Sequence, residues 1–199
     1  MIELNLDLPA ELVPLSWLIG VWEGSGVIDY TVGEESISHE FGQRVSFSHD
    51  GLPYLNYNSY TWLLDDEQTP LVAESGYWRL HRKQQPGDPG PAMLPGIGER
   101  PYPNAESVET LRNADGGFDI EAAVVHPGGV SELYLGEVRG PRIDLATDAV
   151  MRTAGAKEYA AATRMYGMVD NHLLWAWDIA ALGQDLRTHA SARLGKADS

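Results

Sequence analysis

Apolar and polar residues alternate along most of the chain, and that alternation predicts strands. It is clearest near the end: Leu173, Trp175, Trp177 and Ile179 fall on one face, and Leu174, Ala176 and Asp178 on the other. Further strand-like runs cover residues 26–32, 39–48, 55–64, 73–80, 107–112, 118–125, 130–138, 142–148 and 158–168. Turn residues punctuate them, among them Asp50-Gly51, Asp65-Asp66-Glu67, Asp115-Gly116-Gly117, Pro127-Gly128-Gly129 and Gly183-Gln184-Asp185. Sequential strands joined by short turns make a meander, and closing a meander into a barrel removes its exposed edges. The expectation is an all-β chain: one domain over residues 1–199, built as a roughly ten-stranded antiparallel β-barrel. No segment has the period of a long amphipathic helix. Only a short helical turn around residues 10–12 is expected, within an N-terminal arm.

Two stretches break the alternation. Gly20, Gly24 and Gly26 surround Trp22, and glycine lets another backbone approach closely. This stretch reads as architecture between strands, with Trp22 covering a barrel end. Residues 83–107 are rich in Pro and Gly and too long for a hairpin turn. They read as an insertion looping over the surface, with a lid or an oligomer contact as other uses.

Composition narrows the function. The net charge is −15, which disfavours nucleic acid or an anionic membrane as partner. There is no cysteine, so disulfides, thiolate-bound haem, iron–sulfur clusters and thiol zinc sites are excluded. The absence of cysteine, and an acidic N-terminus with no signal-peptide pattern, suit a cytoplasmic protein. No P-loop, nucleophile elbow or HExxH pattern is present. The histidines show no metal-pair spacing; His172 sits in a turn, and His126 follows Val124-Val125 at a strand end. His189 shares a strand face with Arg187, Ser191 and Arg193, which reads as a surface position. What remains is a barrel wide enough to enclose a ligand cavity, with a histidine available to a metal centre.

Several segments together resemble one family. Gly20-Val-Trp-Glu-Gly-Ser-Gly26 matches the G-x-W-x-G-x-G pattern of the nitrobindins, small haem-binding barrels shaped like lipocalins and fatty-acid-binding proteins. Residues 47–55, 73–79, 126–132, 156–158 and 186–189 resemble further segments of that family in the same order. The resemblance runs from about Leu15 to Leu194 and leaves the 83–107 stretch outside.

The resemblance implies one ferric haem b per chain in the barrel mouth, with His189 as the axial ligand and the metal site. It implies Lys157 at the haem edge, beside a propionate. A local bulge would turn His189 inward. Leu71-Val72 stand where some members carry a methionine–histidine pair, so the far side of the haem should be more apolar here. His126 is either a hydrogen-bond donor on that side or a solvent-bonded strand end, and Ile179 joins the haem wall. The implied activity is isomerisation of peroxynitrite to nitrate at His189-bound ferric haem acting as a Lewis acid, with binding of nitric oxide. The expected partners are haem and a small anionic oxidant or nitric oxide, with no nucleic acid, no membrane and a homodimer left open. The rival is a haem-free carrier of a fatty acid or other small apolar ligand, and Leu71-Val72 is the feature that favours it.

Overall fold

A computed structural model of the chain describes residues 7–32, 35–180 and 187–197. Its strands are β1 (Gly20–Val32), β2 (Glu35–Ser48), β3 (Leu55–Leu63), β4 (Pro70–Leu80) and β5 (Phe118–His126). They continue as β6 (Val130–Arg139), β7 (Arg142–Arg152), β8 (Ala161–Val169), β9 (His172–Ala180) and β10 (Arg187–Lys196). Each strand pairs antiparallel with its neighbours in sequence, and β1 pairs with β10 to close the barrel. The expected turn at Gly183-Gln184-Asp185 lies outside the described residues.

The inward parity of each strand makes the core. Phe47, Leu55, Trp78, Ile120, Ile143, Leu173 and Leu194 are almost fully buried in one half of the barrel. That end is plugged by a 3₁₀ helix, Ala10–Leu18, which buries Leu12, Leu15 and Leu18. The helix is longer than the turn expected around residues 10–12. The reason is tertiary: its apolar residues have a barrel end to fill, whatever their weak helical period.

The glycine-rich stretch lies inside β1, not between strands. Trp22 is buried and its indole Nε1–H donates to the Leu18 carbonyl at 2.7 Å, tying β1 to the plug. A Cβ on Gly24 would stand 2.3 Å from the Arg193 carbonyl oxygen, and one on Gly26 2.2 Å from that of Ser191. Glycine is what lets β10 close on β1. Gly20 opens the strand at φ +134°.

Residues 107–112 are not a strand. They fall in and just after a short helix, α1 (Ala105–Glu109), capped by Asn104, whose side chain accepts from the Ser107 amide at 2.9 Å. The Asn-x-x-Ser capping pair overrides the local strand pattern, and α1 packs Val108 into the core beside the plug. The 83–107 stretch is likewise held down. Arg82 bridges Glu11 and Asp88, all three nearly buried, and lies over the Tyr102 ring at 4.8 Å. A buried cation shared by two carboxylates is stabilising only while all partners stay, so this loop is fastened to the plugged end.

Gly26→Ala should therefore destabilise the barrel by about 1–3 kcal/mol, the usual range for overpacking a core. Urea unfolding followed by tryptophan fluorescence checks this, and an unchanged midpoint would mean β1 and β10 separate without cost.

Candidate functional site

The loops joining β3 to β4, β5 to β6 and β7 to β8 lie at the end opposite the plug. Inside that end is a cavity of about 230 Å³. Its wall is largely apolar and aromatic, with Ile28, Phe41, Leu71, Val72, Trp175, Trp177 and Ala190. Leu71 and Val72 both reach it because the β3–β4 register slips between Tyr60 and Trp62. Thr61 holds the slipped strand, donating its hydroxyl to the Val72 carbonyl at 2.9 Å.

His189 stands on a second irregularity. Thr188 pairs with Asp178 and Ala190 with Trp177, so His189 is an extra residue on β10. This bulge breaks the alternation that grouped His189 with Arg187, Ser191 and Arg193. Beyond it Ala190, Ala192 and Leu194 face inward. The His189 ring is half-buried and meets the inward-facing Trp177 edge-on, with centroids 5.7 Å apart at 84°. Ile179, one turn of pleat beyond Trp177, is partly buried against the core and pairs with Arg187.

Beneath the cavity lies a buried charged cluster. Arg164 on β8 makes a bidentate pair with Glu74 on β4, at 2.8 Å for each bond. Glu74 also accepts from the Tyr57 hydroxyl at 2.7 Å. Glu132 on β6 accepts from Tyr134 at 2.5 Å and Tyr159 at 2.7 Å, and pairs with the His126 Nε2 at 2.6 Å. Burial pushes the Glu74 carboxyl up, but Arg164, His126 and Tyr57 outweigh it and hold it down at about 2. Glu132 is held below the ordinary range too: burial raises it, and His126, Arg164, Tyr134 and Tyr159 more than offset that. The phenols move the other way. Burial first, then the neighbouring carboxylates, raise Tyr57, Tyr134 and Tyr159.

Of the two sequence alternatives for His126, the solvent-bonded strand end gives way: its side chain is 12% exposed and engaged with Glu132. It also stacks near-parallel to Trp177, 18° between planes. Lys157 is exposed in the β7–β8 loop, where its carbonyl accepts from Arg152 at 3.2 Å. The glycines and Trp22 of the β1 motif are structural parts of the closure and plug.

Sequence reasoning passed over Glu74, Glu132, Arg164 and Tyr159, reading scattered carboxylates as solvated. A usable signal existed. Glu74 is in phase with Trp78 and Leu80, Glu132 with Tyr134 and Val138, and Arg164 with Tyr166. A charge on the inward parity of a strand must find a partner inside.

A family model described as "THAP4-like, heme-binding beta-barrel domain" matches residues 11–196. The chain belongs to that family. A peroxynitrite isomerase of Leifsonia xyli is 71% identical over all of both chains. One of Clavibacter michiganensis is 68% identical, again over all of both chains. Among solved structures, the crystal structure of Rv2717c from M. tuberculosis aligns with a TM-score of 0.69 at 26% identity, covering 96% of this chain and all of that one. The nitrobindin resemblance and the barrel expectation thus hold along the chain.

The residues present suit a haem. An apolar, aromatic-walled cavity takes a flat macrocycle, and His189, set against the wall residue Trp177, carries an imidazole, a common iron ligand. The buried phenols are committed to carboxylates and held protonated, so they do not compete. Among the other histidines, His39 sits exposed beside Tyr30, and His81 pairs with Glu121.

Glu74→Gln should expose the cluster's worth. Breaking a buried pair from one side costs about 3–5 kcal/mol, so the variant should be less stable at neutral pH. Because Glu74 and Glu132 are depressed when folded, wild-type stability should be full above the ordinary value of 4.5 and fall as pH drops towards about 2. The variant should lose less over that window. Denaturant unfolding at several pH values checks both parts.

Proposed function

We propose that the chain binds one ferric haem b in the open end of the barrel, with His189 as axial ligand, and isomerises peroxynitrite to nitrate. The observation that carries this is the β10 bulge at His189, whose ring meets Trp177, a residue of the apolar cavity's wall. The family's haem-binding description and the relatives named peroxynitrite isomerase support the same reading. When bound, a ferric haem supplies Lewis acidity at iron, which polarises a peroxo oxygen and also suits nitric oxide binding.

The protein's own contributions follow from the geometry. His189 offers a ring nitrogen, and Trp177 fixes the plane of its ring. Ile28, Phe41, Leu71, Val72 and Trp175 give the cavity its apolar surface. Lys157 and Arg152 are exposed cations at the same end, placed to meet acidic groups on a ligand's edge. Arg164 is not a trap for the substrate anion, because its charge is already matched by Glu74 and Glu132.

Electrostatics set the approach. Asp65, Asp66 and Glu67 crown the β3–β4 turn on a chain of net charge −15. A negative protein slows an incoming anion, and salt relieves that repulsion.

Hemin titration of the apo-protein should give a sharp Soret band saturating at one haem per chain. His189→Ala should weaken uptake at least tenfold and lose the ligated spectrum. Equal, loose uptake by both proteins would point to the apolar carrier instead. Separately, the rate at which the haem-loaded protein converts peroxynitrite should rise with ionic strength at alkaline pH, where the oxidant is an anion. Stopped-flow absorbance at two salt concentrations checks the sign.

A further inference from the structure

The phenols bonded to Glu132 have no part in the isomerisation, yet they are connected to His189. Trp177 is the link. Its ring lies 5.7 Å from His189, 6.5 Å from Tyr159 and 4.2 Å from the Arg164 guanidinium, centroid distances in the first two cases. Tyr159 in turn donates its hydroxyl to Glu132 at 2.7 Å. Aromatic rings this close pass single electrons readily.

We propose that Tyr159, acting across Trp177, is a one-electron donor that restores a His189-bound haem from which a peroxidic oxidant has drawn an electron. This rests on the haem reading above. In the step, one electron leaves Tyr159 and fills the vacancy at the haem. The phenolic O–H bond breaks, and the proton passes along the existing hydrogen bond to Glu132. The products are a neutral phenoxyl radical on Tyr159, a carboxylic acid at Glu132 and a haem reduced by one electron.

The environment of each ring says where the radical comes to rest. Oxidised tyrosine is a far stronger acid than any carboxylic acid, so it settles only where a base waits at its oxygen. Tyr159 has Glu132 there. Trp177 has no such outlet: its Nε1 is buried with no hydrogen-bond partner among the described residues. The Arg164 cation over its face also disfavours a positive charge on the indole. Trp177 therefore conducts, and Tyr159 stores. Tyr134 shares the Glu132 carboxylate and receives the radical second. The function is protective: each oxidising equivalent left on the haem is removed at the expense of one tyrosine hydrogen.

The test is freeze-quench electron paramagnetic resonance on hemin-loaded protein mixed with hydrogen peroxide. Wild type should show a tyrosyl signal. Tyr159→Phe should lower its yield at least fivefold and slow the return of the ferric Soret band at least tenfold. Tyr54→Phe, at the plugged end, should change neither. Because an O–H bond breaks in the step, the wild-type return should be slower in deuterium oxide. A wild type with a normal ferric Soret band but no tyrosyl signal would overturn this proposal alone. So would a Tyr159→Phe variant with unchanged yield and rate. A wild type that takes up no hemin would overturn the haem reading as well.

Discussion

The barrel depends on how one arginine is satisfied in its interior. Arg164 projects inward from β8 and is almost fully buried. Glu74 comes from β4 across the barrel and Glu132 from β6, so the cluster stitches strands far apart in sequence. Burying a charge is tolerable only with partners in good geometry. The bidentate pair, and the phenols that fill the remaining lone pairs of both carboxylates, meet that condition. The closure of ten strands leaves an interior too wide for apolar side chains to fill throughout. Here the plugged half is filled by aliphatic and aromatic residues, the middle by this cluster, and the open end is left as a cavity.

That division shapes the site. The cluster is the floor on which Trp177 rests, and Trp177 is the wall against which His189 stands. A change in the cluster therefore reaches the imidazole through a rigid indole, without any moving loop. The two strand irregularities do the remaining work. One brings Leu71 and Val72 together to the cavity, and the other turns His189 out of the outward register. A bulge costs ladder hydrogen bonds locally, and re-aiming a side chain is its usual return.

The plugged end serves a different purpose. The 3₁₀ helix, Trp22, α1 and the loop fastened by Arg82 all close the floor, so the barrel opens one way only. The Pro/Gly-rich stretch belongs to this closure. Its composition looks like a free surface loop, but Arg82 pairs at once with Asp88 inside the stretch and with Glu11 of the 3₁₀ helix.

Much of this was legible in the chain itself. Strict alternation around Leu173–Ile179, and turn residues at regular spacing, determined an antiparallel meander. The absence of cysteine removed whole classes of metal chemistry, and the run of motifs identified the haem-binding family. Local pattern failed where a distant partner decided the outcome. The 107–112 segment alternates like a strand but is claimed by an Asn104 cap and the plug. His189 alternates onto the outer face, and only the pairing of β10 with β9 shows that it is an extra residue, set against Trp177. For His126 the pattern left a solvent-bonded strand end open, because Glu132 and Trp177, which pack against it, come from other strands. Period-two patterning reports which residues face together on one strand. Register between strands, and the charges that meet inside, are fixed only when the sheet closes.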